Sequence, residues 1–145
     1  MLINKNNTGK IWFFGGLYLF FSPVAAEITV DSSFFQQPQL LTPNQGEYAI
    51  TQNLGKVIGN NLFHSFQDFN LKQGETARFS GAAHINNVIS RVTGGSPSHI
   101  NGTISNTIPG ANTYLLNPAG IFFAEHARLD VSGGFYATTA DYLNL

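Results

Sequence analysis

The side chains able to do chemistry in this chain are few and scattered. Four histidines (His64, His84, His99 and His126) have the nitrogen donors to hold a metal ion or relay protons. A zinc-binding helix, however, needs two of them four residues apart with a carboxylate beside one. No two of the four stand at that spacing, and exposed or turn positions suit all of them. Ser96 and Ser98 flank Pro97 in a polar turn, not in the Gly-x-Ser-x-Gly elbow that raises a serine nucleophile. Gly94-Gly95-Ser96 lacks the lysine of a phosphate-cradling loop. Glu125 and Asp130 are near enough in sequence to pair as acid and base. Yet Asp130 alternates with Leu129 and Val131, and Glu125 follows an apolar run, which assigns both to solvent. Asn101-Gly102-Thr103 fits a glycosylation sequon, a short pattern common by chance. Phe34, Phe35, Phe63 and Phe66 read as core or N-terminal capping residues. The expectation is a protein that is not an enzyme and holds no metal or cofactor.

The stretch that does carry information is structural. Asn112 to Phe123 runs three apolar residues (Tyr114, Leu115, Leu116) into Asn117-Pro118-Ala119-Gly120 and three more (Ile121, Phe122, Phe123) out. Asn accepts a local hydrogen bond at the first corner of a type I turn, Pro presets φ at the second, and Gly suits the fourth. A two-residue hairpin would need φ > 0 at its centre, which Pro118 cannot adopt. The turn therefore re-aims the chain instead of folding it back, as the corners of a coil of strands do.

Composition sets the outer bounds. A chain of 145 residues is one domain with enough apolar content for a core, and only 10% of it is charged. With Lys+Arg 7 against Asp+Glu 8 it carries no basic field for nucleic acid or an anionic membrane. It has no cysteine, so export would require no oxidative folding.

The first 26 residues read as an export signal. Lys5 and Lys10 are the positive region, Ile11 to Phe21 the apolar region, and Ser22-Pro23-Val24-Ala25-Ala26 the small-residue region, with the cut between Ala26 and Glu27. The apolar run is too short to span a bilayer. Its removal leaves 119 residues with a formal charge of −3.

Past the signal, Gly and Pro recur too densely for helices. Short apolar runs sit between them: Ile28-Thr29-Val30, Tyr48-Ala49-Ile50, Ala77-Arg78-Phe79, Ile100 to Ile104, Tyr114 to Leu116, Ile121 to Phe123, Leu129 to Val131 and Phe135 to Ala137. Three-to-five-residue strands with closely spaced turns predict an all-β protein. Ile85, Val88, Ile89 and Val92 keep helical spacing, but they are β-branched and surround Asn86-Asn87, which predicts two short strands about a turn. Leu62, Phe66 and Phe69 leave helix and strand open. Breaks made of single Asn, Gly or Pro residues favour a parallel β-helix, in which corner asparagines stack, over a sandwich.

Four ordered blocks then resemble one family. Asn61-Leu62-Phe63-His64-Ser65-Phe66-Gln67-Asp68-Phe69-Asn70-Leu71 comes first, followed by Ser90-Arg91-Val92-Thr93-Gly94-Gly95-Ser96-Pro97-Ser98. Leu116-Asn117-Pro118-Ala119-Gly120-Ile121 is third, and Ala127-Arg128-Leu129-Asp130 with Gly134-Phe135-Tyr136-Ala137-Thr138-Thr139 is last. Together they are similar to the N-terminal secretion (haemagglutination activity) domain of filamentous-haemagglutinin-like proteins, the exported partners of bacterial two-partner secretion. The resemblance implies a right-handed parallel β-helix over residues 27–145, with an N-terminal capping region. It implies export by the general secretory machinery, then recognition by the periplasmic domains of an Omp85-type outer-membrane transporter. The product would be an adhesin-like protein, secreted or at the surface of a bacterium with an outer membrane, with host or cell-surface glycans as candidate ligands. The family's Asn-Pro-Asn-Gly-Ile motif maps onto Asn117, Pro118, Ala119, Gly120 and Ile121, with Ala119 in place of the second Asn. Arg91, Val92, Thr93, Gly94 and Gly95 form a second block, typical of a separate branch, and the family's Asn-Pro-Asn-Leu has no copy. Folding would bury Leu115, Leu116, Ile121 and Phe122. A surface β-helix that binds carbohydrate or cleaves polysaccharide is the alternative. Strand character up to Leu145, with no polar cap, predicts a member truncated at its C-terminus.

Overall fold

In Tyr48-Ala49-Ile50 and Ala77-Arg78-Phe79, alternate residues are apolar, so each segment can turn one face into a core and the other to water. The computed structural model, which describes residues 3–5, 7–9 and 27–144, stacks these segments in register, Tyr48 on Ala77 and Ile50 on Phe79. The apolar run of the export signal, Ile11 to Phe21, and its cut after Ala26 lie outside the described residues. Near the start, β1 (Ile3–Lys5) and β2 (Asn7–Gly9) form an antiparallel pair. Next come β3 (Ile28–Val30), β4 (Gln39–Leu40), β5 (Glu47–Thr51), a 3-10 turn (Gln52–Leu54), β6 (Lys56–Ile58) and β7 (Asn61–Phe69). The chain continues through β8 (Thr76–Ser80), β9 (Asn87–Val92), β10 (Ser98–Ile100), β11 (Thr103–Asn106), β12 (Asn112–Leu116), β13 (Ile121–Phe123), β14 (Arg128–Val131) and β15 (Phe135–Thr138).

From β5 onward the strands wind into a parallel β-helix of about four coils. One side stacks β5, β8, β11 and β14; the second stacks β7, β9, β12 and β15; the third stacks Leu71, β10 and β13, every pairing parallel. Glu47, Thr76, Thr103 and Arg128 lie one above another, at intervals of 29, 27 and 25 residues. Stacking in register lets like residues meet. Asn87 Nδ2 donates to Asn61 Oδ1 (2.9 Å), Asn112 Nδ2 to Asn87 Oδ1 (3.1 Å), and the Gly134 N–H to Asn112 Oδ1 (2.9 Å). This is the corner-asparagine column expected of the fold. Inside, Ile50, Leu62, Phe66, Phe69, Phe79, Val88, Ile100 and Ile104 form a continuous buried core. Each such side chain adds about 1.5–3 kcal/mol of burial free energy.

A segment left open by its spacing and one departure from expectation have local causes. Leu62, Phe66 and Phe69 belong to the nine-residue β7, where the register against β3 shifts between Thr29–Asp68 and Val30–Phe66. That bulge at Gln67 inserts one residue, so Phe66 and Phe69 both face inward three residues apart, a helix-like interval made by a strand. Ile85 to Val92 is not two strands about a turn. Asn86 and Asn87 make the corner, and Asn87–Val92 is one strand. Its Val88 and Val92 enter the core, while Ile89 is covered on the outer face. The Ile100–Ile104 run, in turn, breaks at Asn101-Gly102 into β10 and β11.

The two ends of the coil stack differ. The first edge of the second side is covered: β6 pairs antiparallel with the start of β7 and β3 with its end, and β4 adds outside β3. These strands are the N-terminal cap. At the other end, among the described residues, β13, β14 and β15 each pair on one side only.

Candidate functional site

Asn117 leaves β12 at a corner that its own side chain builds. Its carbonyl accepts from the Gly120 N–H (2.9 Å), closing the turn from first to fourth residue, and its Oδ1 accepts from the Ala119 N–H (2.9 Å). Its Nδ2 donates to the Ser96 carbonyl (3.0 Å) and to Ser98 Oγ (3.0 Å), tying the corner to the coil before. Asn117 is buried, with all these groups satisfied, whereas Pro118 and Ala119 are exposed. Gly120 has φ +121, a conformation side chains rarely adopt, and its carbonyl accepts from the Ser98 N–H (3.0 Å). Asparagine thus supplies an anchor, and proline and alanine supply a small exposed knuckle. Ala119 takes part through its backbone, so no side-chain bond of the turn depends on the residue type there.

The second block, Arg91 to Gly95, follows the same plan one coil earlier. Thr93 Oγ1 donates to Asp31 Oδ2 (2.6 Å), Ser65 Oγ donates to the same oxygen (2.7 Å), and the Ser33 N–H donates to Asp31 Oδ1 (2.7 Å). Arg91 reaches Ser65 Oγ (2.9 Å) and Ser33 Oγ (3.0 Å). Burial alone would raise the Asp31 pKa. The hydrogen bonds from Thr93, Ser65 and Ser33 outweigh it and hold the carboxyl below its usual value. Val92 enters the core. Gly94 runs so close to β7 that a Cβ there would lie 2.2 Å from the Gln67 carbonyl oxygen. The block is therefore a latch between the N-terminal cap and the first two coils. Ser65, from the first block, and Asp31 and Ser33, which the sequence blocks leave out, complete it. Asp31-Ser32-Ser33 has the form of an Asx turn, which is the local signal for them.

The two blocks do not share a set of contacts, but both line one small hollow of about 250 Å³, floored by Arg91, Thr93, Leu116, Asn117 and Pro118. Beyond it, the last coil turns apolar side chains to solvent. Leu115 and Leu116 are buried as expected, but Ile121 is only half-buried and Phe122 is 56% exposed, stacked on the His99 ring at 5.3 Å. The expected burial of Phe122 fails because it points outward from β13. Leu129 shares a stacked column with buried Tyr48, Ala77 and Ile104, yet it is 52% exposed, because none of the described strands packs on the far side of β14.

The residues considered for chemistry do not gather into a catalytic group: His126 Nε2 and Glu125 Oε2 lie 3.5 Å apart, but as sequence neighbours at the surface. Among the described residues no group of His, Asp or Glu side chains could hold a metal ion. Glu125 and Asp130 are exposed as expected, and Asp130 accepts from Ser105 Oγ (3.1 Å) in a surface column that also holds the Arg78–Glu47 ion pair. His84 and His99 are exposed, and the Asn101 side chain is used at its corner, accepting from the His126 N–H (3.0 Å). His64 is the exception to the expected exposed or turn positions. It lies 2% exposed inside the coil, because its place in β7 alternates inward with Leu62 and Phe66.

Residues 26–145 match the family model described as TPS secretion domain. None of the curated proteins matches the chain.

Proposed function

The chain belongs to the TPS secretion domain family, the export module of two-partner secretion exoproteins, and on that premise we propose how it is handled. Residues 1–26 direct the chain to the general secretory machinery and are cut off between Ala26 and Glu27. Residues 27–145 are then recognised by the periplasmic domains of an Omp85-type outer-membrane transporter. Recognition reads short extended segments by strand addition, in which backbone hydrogen bonds give affinity and side chains give register. A chain of low charge, without cysteine, threads a pore unfolded without disulfides to reduce. Outside the cell the coils close from the N-terminal cap onward. Burial of residues such as Leu115 and Leu116, about 1.5–3 kcal/mol each, opposes return. The exoprotein is an adhesin of the haemagglutinin kind, secreted or held at the surface of a bacterium with an outer membrane.

The observation that carries this reading is the family match over the whole of the coil-forming chain. The Asn117–Ile121 corner supports the assignment of the motif: Asn117 fixes the fold while Pro118 and Ala119 stay free for another protein to touch. The test is export of a Pro118→Ala, Gly120→Ala double variant from cells carrying the transporter. Gly102→Ala, whose Cβ would run into the Glu75 carbonyl oxygen at the β10–β11 corner, serves as a control that disturbs the fold away from both blocks. Release of the double variant should fall well below that of the control. Wild-type release would remove the motif from the recognition step.

A further inference from the structure

His64 and Ser90 are paired residues of β7 and β9, one in the first coil and one in the second. Both turn into the core, 2% and 1% exposed. Neither ring nitrogen of His64 makes a hydrogen bond of ordinary geometry to a protein group, and neither does Ser90 Oγ. The imidazole lies against Phe66 of its own strand (5.9 Å between rings) and Phe79 of β8 (5.5 Å). Its fourth wall is the corner after the 3-10 turn, where a Cβ on Gly55 would stand 2.8 Å from His64 Nδ1. Phe66, Phe79, Ser90 and the Leu54–Gly55 backbone surround the ring, and none of them carries a charge or titrates near neutrality. A neutral imidazole fits such a site. An imidazolium would bring two N–H donors and a positive charge into a space where, among the described residues, no carboxylate receives them.

We infer that the His64–Ser90 rung is an acid-labile joint between the first and second coils. Acid opens β7 from β9 there, while the later coils, whose core holds no histidine, stay closed. The protonation balance gives the direction. Burial pushes His64 down to about 4, a contact with the Leu54 backbone offsetting this only in part. The unfolded chain takes up a proton on this residue from about pH 6.5 downward, and the folded chain does not until about pH 4. Stability is thus fully present above pH 6.5 and lost progressively between 6.5 and 4. The folded-to-unfolded ratio falls roughly 20-fold from pH 7 to pH 5 and about 100-fold by pH 4. This inference does not depend on the export reading, since it concerns the folded domain alone.

The experiment is urea unfolding of the full chain at pH 7, 6, 5 and 4.5, for the wild type and for His64→Leu. The wild type should lose stability across this range, and His64→Leu should hold its folded-to-unfolded ratio to within about threefold. The same slope in both would overturn the joint. Two measurements on the wild type keep the test open should the variant fold poorly. Ring resonances of His64 at pH 5 should report a neutral imidazole in the folded chain; a charged one would overturn the inference. Amide exchange on going from pH 7 to 5, corrected for intrinsic rates, should accelerate in β7 and β9 before β12 and β15. Uniform acceleration would overturn it equally.

Discussion

Replacing Asn117 with alanine separates an anchor from a contact surface. The side chain is 1% exposed and makes three hydrogen bonds: to the Ser96 carbonyl, to Ser98 Oγ and from the Ala119 N–H. Each contributes about 1 kcal/mol net, and a buried polar group left without its partner costs about as much again. Ser98 is completely buried, so its hydroxyl is the group most exposed to that penalty. With that penalty on Ser98 the sum is about 4 kcal/mol of lost stability. In equilibrium urea unfolding at pH 7 this lowers the midpoint by about 1.3–2.7 M with an unchanged slope, for a slope of roughly 1.5–3 kcal/mol per molar. Ala119→Asn, which restores the family's second asparagine at an exposed position, should stay within about 0.5 kcal/mol of the wild type. An Asn117→Ala loss below about 0.5 kcal/mol, or an Ala119→Asn loss as large as that of Asn117→Ala, would refute the view that the first residue builds the corner and the third only decorates it.

Further perturbations probe the latch and the two ends of the core. Gly94→Ala drives a Cβ into the Gln67 carbonyl, so calorimetry should show a destabilisation of about 2 kcal/mol or more. Thr93→Val removes one of the hydrogen bonds that depress the Asp31 pKa. The stability this carboxylate contributes is present above its unfolded value of 3.8 and is lost as pH falls through its lower folded value. The variant should therefore be less stable at pH 7 and flatter below pH 4 in acid-unfolding curves, a window below that of His64. Ile104→Ala should cost about 2–4 kcal/mol and Leu129→Ala, at the same place one coil later, under about 1 kcal/mol, measured as urea midpoints. Equal losses would mean that the last coil is covered in solution.

The strands were legible where the chain alternates strictly and the corners where one residue type forces a turn. Asn117 and Pro118 announce their corner because proline fixes φ and asparagine bonds the second N–H beyond it. The asparagine column was legible as a type of contact, since equal residues stack only when coils repeat. Strand β7 was not, because the Gln67 bulge gives Phe66 and Phe69 an interval that periodicity assigns to a helix. His64 was misplaced for a different reason. Histidine belongs by type at surfaces and turns, and only its register within β7 sends it inward. The exposure of Phe122 depends on which way β13 faces, and three residues of pattern cannot fix that. The latch joins residues far apart in sequence, Asp31 with Thr93 and Ser33 with Arg91, so no local spacing contained it.

The most direct test of the export reading is to fuse the chain to a passenger that stays in the periplasm by itself. The passenger is then measured outside cells that carry, or lack, the Omp85-type transporter of the same genome. The passenger should appear outside the cell only when the transporter is present. Retention in the periplasm despite the transporter, or equal release without it, would contradict the assignment.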